Sequence, residues 1–116
     1  MVKIYHNPRC KKSRTGLQYL QDKGIPYEVV NYFETPFDVA ALREVFMKLN
    51  IKPEQAVRTQ EELYKRELKG KTFTDEEWIQ IIIENPKLLH RPIVVGKYKA
   101  VIAQPPERME EVIKRY

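Results

Sequence analysis

The chain has 116 residues, 42% of them apolar, and a net charge of +5 from 21 basic and 16 acidic side chains. That is one domain's length, enough to bury a core without disulfides or a structural metal, and one Trp, seven Tyr and four Phe with aliphatic residues in periodic runs exclude a disordered chain. No leader pattern opens it, the apolar runs near Ile79–Ile83 and Ile93–Val95 are too short to span a bilayer, and the cations are interspersed with acids, so the expectation is a cytoplasmic protein with no membrane or direct nucleic-acid partner.

Val2-Lys3-Ile4-Tyr5 reads as a short strand, and His6-Asn7-Pro8-Arg9 as a loop marked by its Asn-Pro pair. From Cys10 to Lys23 the pattern is helical, with Leu17 and Leu20 on one face and Gly24 as the stop. Tyr27 to Tyr32 alternates as a second strand. Thr35-Pro36 predicts a helix start, with Thr35 as cap and Leu42, Val45, Phe46 and Leu49 on the buried face. Thr59-Gln60-Glu61-Glu62 predicts a capping box that opens a shorter helix. Thr74-Asp75-Glu76-Glu77 predicts another, carrying Trp78, Ile81 and Ile82 as far as Asn85-Pro86. Pro92–Val95 and Lys99–Ala103 read as a hairpin closed by a tight turn at Gly96. Pro105-Pro106-Glu107 opens a last helix with Met109, Val112 and Ile113 inward.

The order is β-α-β, three helices, then β-β-α. A right-handed crossover makes the first two strands parallel, and the hairpin adds antiparallel ones. The fold class expected is α/β: a four-stranded mixed sheet flanked by helices. This is the thioredoxin-like plan with a helical insertion, about residues 36–88, between its βαβ and ββα halves. A single domain over 1–116 is expected.

The chain has one cysteine, which excludes an internal disulfide and a Cys-based zinc site. Cys10 sits where strand and loop hand over to a helix, so free N–H groups and the helix dipole favour its thiolate. His6, Arg9, Lys11, Lys12 and Arg14 surround it in sequence, and such surroundings depress a thiol pKa. Ser13, three residues on, can donate to the sulfur or to a bound oxyanion. Cys-x-x-Ser at this location is the redox position of the thioredoxin-like fold. In that fold the proline opening the third strand is usually cis, so a cis Arg91–Pro92 bond beside Cys10 is expected. Two guanidiniums, Arg58 and Arg91, with a helix N-terminus suit a tetrahedral oxyanion.

Tyr5-His6-Asn7-Pro8-Arg9-Cys10-Lys11-Lys12-Ser13-Arg14, Gln55-Ala56-Val57-Arg58, Phe73-Thr74-Asp75 and Arg91-Pro92-Ile93-Val94-Val95 together resemble the glutaredoxin-coupled arsenate reductase family, which also includes the Spx regulators. The resemblance implies that Cys10 attacks arsenic(V), that His6, Ser13 and Arg14 hold and activate the thiolate, and that Arg58 and Arg91 bind the oxyanion. Asn7, Pro8 and Pro92 shape the site. The family's third anion-binding arginine falls at Gln104, which here is the remaining candidate for substrate contact. Glutathione is implied as co-substrate and glutaredoxin as the partner that completes reduction, with no bound cofactor or metal and a monomeric protein. The external thiol agrees with the single cysteine. The alternative is a non-catalytic, Spx-like regulator binding RNA polymerase, although Ser13 removes the Cys-x-x-Cys switch of that type.

Overall fold

In the computed structural model, which describes residues 1–114, the strand patterns become one four-stranded sheet of order β2-β1-β3-β4. Strand β1 is Val2–His6, β2 Tyr27–Asn31, β3 Ile93–Val95 and β4 Ala100–Ile102. β1 runs parallel to β2, with Ile4 opposite Val29, and antiparallel to β3, with Ile4 opposite Val94. β3 and β4 form the hairpin, closed by the Gly96 N–H donating to the Lys99 carbonyl at 2.8 Å. The parallel pair is joined by helix α1, Lys11–Asp22, which ends where Gly24 adopts φ +70°, a left-handed conformation open to glycine at no steric cost. The expected thioredoxin-like α/β plan is the plan observed.

The chain divides into two compact units: Met1–Pro36 together with the residues from Arg91 on, and Phe37–His90. The first holds the sheet and α1, then a 3-10 turn, Pro106–Met109, leading into a short last helix, α4, Glu110–Ile113. Its core is Val2, Ile4, Leu20, Val94, Val101, Ala103, Met109, Val112 and Ile113, all buried from water. Val2 and Ile4 come from alternate positions of β1, and Met109, Val112 and Ile113 from the turn spacing of the last helix, so both periodicities converge on one apolar layer. Tyr19 on α1 donates to Glu110 at 2.7 Å, and Lys23 pairs with the same carboxylate.

The second unit contains helix α2, Val39–Leu49, and helix α3, Asp75–Glu84, with 3-10 turns at Pro53–Ala56 and Pro86–Leu88 and a π-helical turn at Tyr64–Leu68. Thr74 and Glu77 form the expected reciprocal capping box of α3, and Phe73 meets Trp78 edge-on, ring centroids 4.9 Å apart. Two expected helix starts moved. The Asn31 carbonyl takes the N–H groups of Glu34 and Thr35, so Thr35 ends a turn rather than capping a helix, and the Asp38 carboxylate caps α2 through the Ala41 N–H at 2.7 Å. At Thr59 no capping box forms, and the chain makes a later turn whose Tyr64–Leu68 stretch is π-helical. Among the described residues no helix is long and apolar enough to cross a membrane.

Candidate active site at the start of helix α1

Cys10 is the N-cap residue of α1, with extended φ −99° and ψ 125°, and is only partly exposed. Its own N–H donates to the Asn7 carbonyl at 3.0 Å, which closes the loop under the sulfur. The side chain makes no conventional cap hydrogen bond. A neutral thiol is a weak acceptor, whereas a thiolate is a strong one. Burial pushes the Cys10 thiol up, but the Ser13 N–H, the hydrogen bond and charge of the Arg91 guanidinium, and the Lys12 N–H together outweigh it and hold the thiol below its ordinary value. Cys10 thus stands where a capping oxygen usually stands, at a helix end whose N–H groups favour an anion.

Ser13 is fully buried. Its hydroxyl oxygen accepts the Asn7 N–H at 2.9 Å and lies 2.7 Å from His6 Nδ1. Burial holds the His6 imidazole below its ordinary value against an opposing hydrogen bond to Ser13, with the Arg14 charge adding to the lowering. A neutral ring with its proton on Nε2 satisfies this set, the Ser13 O–H donating to Nδ1. The hydroxyl expected at the sulfur is therefore engaged within the loop, and it is the backbone of Ser13 that faces Cys10. Asn7 also caps the turn through its side chain, accepting the Arg9 N–H at 3.1 Å, and Arg14 donates to the Pro8 carbonyl at 3.0 Å. His6, Asn7, Pro8, Ser13 and Arg14 form one bonded loop frame.

Arg91 is 7% exposed. Its guanidinium lies 5.9 Å from the Phe33 ring centroid, a cation–π distance. The Arg91–Pro92 bond is cis as expected, and so is Gln104–Pro105. Pro92 packs on α1 at Gly16, where a Cβ would lie 2.5 Å from the proline Cγ. The Pro92 carbonyl accepts the Ala103 N–H at 2.9 Å, and the Gln104 side-chain amide donates to the Arg91 carbonyl. Within its own unit, Arg58 is partly buried. It donates from its backbone to Leu88 at 2.7 Å and from Nη1 to Glu61 at 2.8 Å. The sequence reading missed Phe33 and Gly16. The glycine inside a helical pattern was a readable sign of close packing; nothing local marks Phe33. Among the described residues no group of three or more His, Cys, Asp or Glu side chains is placed to hold a metal ion.

Residues 5–112 match the ArsC family. The chain is 46% identical over 114 residues to the uncharacterized protein YfgD of Escherichia coli (strain K12), covering 97% of this chain and 96% of that one. It is 39% identical over 114 residues to an arsenate reductase of Neisseria meningitidis, covering 97% of each chain. The structure is similar to that of an arsenate reductase from Vibrio cholerae, with a TM-score of 0.90, 38% identity and 97% of each chain covered.

Proposed function

Because the chain belongs to the ArsC family, we propose that it is a thiol-dependent arsenate reductase in which Cys10 is the nucleophile. The observation that carries this reading is the place of Cys10 at the N-cap of α1, where the Ser13 and Lys12 N–H groups and the Arg91 guanidinium hold its thiol below the ordinary value against burial. The same groups that favour a thiolate suit the charged oxygens of a substrate bonded to it. His6 and the Ser13 hydroxyl hold the loop that aims these donors, and Arg14 closes it over Pro8. Arg58 enters through the resemblance alone, as a second guanidinium for the anion.

In the proposed reaction the Cys10 thiolate attacks arsenic(V) and one arsenic oxygen leaves as water, with no change of oxidation state. Two electrons then come from external thiols. Arsenate and two thiols give arsenite, one disulfide and water, and Cys10 is returned as the thiol. With one cysteine in the chain, both reducing sulfurs come from outside: glutathione first, with glutaredoxin completing the reduction. No bound cofactor enters, and the protein acts as a cytoplasmic monomer, one domain over 1–116.

The test is arsenite release by purified protein supplied with arsenate, glutathione and glutaredoxin. Arsenite is expected from the wild type and none from Cys10→Ser. No arsenite from the wild type under any thiol supply overturns the reading.

A further inference from the structure

We propose that Phe33 is a positioning residue for Arg91: its ring holds the guanidinium at the Cys10 end of the sheet, where an anionic reactant meets it. This rests on the reading of Cys10 as nucleophile and adds a residue that acts on the surroundings of the thiol through Arg91.

The topology brings the three residues to one end of the sheet. β1 and β2 are parallel, so His6, which leads into the Cys10 loop, lies opposite Asn31, which leads into the Phe33 turn. β3 runs antiparallel to β1, with Ile93 opposite Tyr5, so Arg91 reaches the same end just before β3 begins. Asn31 builds the turn. Its side-chain oxygen accepts the Phe33 N–H at 3.0 Å, and its carbonyl accepts the N–H groups of Glu34 and Thr35 at 3.1 and 2.9 Å. Tyr32, 1% exposed, lies against the Phe33 ring, with centroids 4.9 Å apart. Phe33 is thereby held at both its backbone and its ring.

Phe33 remains 39% exposed, whereas Arg91 beside it has lost most of its contact with water. The attraction between a cation and a ring face is strongest where water is kept off the cation. The two ends of Arg91 are then held separately: the Gln104 amide donates to its carbonyl, and the Phe33 ring draws its guanidinium. A long side chain has many rotamers to lose, so a ring that favours one of them raises the share of time the charge spends at the sulfur. The hydrogen bond and charge of that guanidinium help hold the Cys10 thiol below its ordinary value. Leucine at position 33 would give Arg91 an apolar neighbour without a ring face.

Two alkylating reagents read the charge at the sulfur without arsenate. Iodoacetate is anionic and iodoacetamide neutral; with each, the Cys10 thiolate forms a C–S bond and iodide leaves. The thiolate fraction is common to both, so the ratio of their rates at one pH reports the local positive charge. Phe33→Leu is expected to lower the iodoacetate-to-iodoacetamide ratio about two- to fivefold, the range for a ring and a cation near a surface. Phe33→Tyr and Phe33→Trp keep a ring and change the ratio less than about 1.5-fold. Arg91→Ala lowers the ratio by itself, and in that background Phe33→Leu has almost no further effect, because the two residues act as one unit. A Phe33→Leu ratio equal to wild type overturns the proposal, as do Phe33→Tyr and Phe33→Trp ratios as low as that of Phe33→Leu. An undiminished effect of Phe33→Leu in Arg91→Ala overturns it too, because the ring then acts on the sulfur directly. If Arg91→Ala does not fold, the ring series in the wild-type background decides. Ring dependence in a protein that forms no arsenite leaves this assignment standing and removes the arsenate reading alone. Arsenite formation without ring dependence removes this assignment alone.

Discussion

The Gln104 side-chain amide donates to the backbone carbonyl of Arg91, the residue whose guanidinium faces the Cys10 sulfur. Position 104 thereby tethers the backbone of Arg91. Gln104→Ala removes this bond and is expected to cost about 0.5–1.5 kcal/mol of stability and to raise the pH midpoint of Cys10 alkylation. Gln104→Glu sets a carboxylate against the carbonyl and raises that midpoint further. Denaturant titration and iodoacetamide kinetics check both. An unchanged midpoint in both variants removes Gln104 from any role in placing Arg91.

Cys10 is expected to alkylate with a midpoint below the ordinary thiol value of about 8.5. Arg91→Ala raises the midpoint, because both the hydrogen bond and the charge at the sulfur are lost. The same ionisation is linked to folding. The folded-state pKa is depressed, so the thiolate's stabilisation is fully present above the unfolded value, about pH 8.5, and is lost as pH falls through the folded value. The stability advantage of wild type over Cys10→Ser therefore narrows on acidification. A wild-type midpoint at or above about 8.5 refutes activation.

Ser13→Ala strands the buried Asn7 N–H and His6 Nδ1 together. The expected cost is about 1–3 kcal/mol for each group left unsatisfied, which appears as a clear drop in the unfolding midpoint. The Ser13 N–H toward the sulfur survives the change, so the Cys10 alkylation midpoint moves less than in Arg91→Ala. If Ser13→Ala leaves stability intact and shifts only the alkylation midpoint, its hydroxyl serves the sulfur rather than the loop.

Gly16→Ala pushes a methyl into the Pro92 ring, where the Cβ would stand 2.5 Å from Cγ. Pro92 is fully buried and cannot swing aside freely. Overpacking of this kind costs about 1–3 kcal/mol, so Tm is expected to fall by several degrees. Thr15→Ala, one residue earlier and exposed, serves as the control. Equal Tm values for the two variants disprove the close packing of α1 on Pro92.

How much was legible in the sequence follows from how local each signal is. The β-α-β start, the hairpin at Gly96 and the place of Cys10 at the head of a helix are written in spacing and turn residues within a few positions of each other. They needed no partner from elsewhere. The start of α2 was misread because Thr35 and Asp38 both suit a cap, and the Asn31 carbonyl decides between them by holding Thr35 in a turn. The box expected at Thr59 does not form, and the helical turn there is the later, π-helical Tyr64–Leu68.

By itself the sequence determined the α/β order, the single thiol and the cationic helix start around it. It also placed just one cysteine among these 116 residues. Tertiary structure decided which atoms meet that thiol. It turned the Ser13 hydroxyl to His6 and Asn7, set Phe33 beside Arg91, and gave the Gln104 amide to the Arg91 carbonyl. Hydrogen bonds and ring contacts of this kind join residues up to dozens of positions apart. A side chain's partner is chosen by burial and reach, which exist only once the sheet and α1 have closed around it.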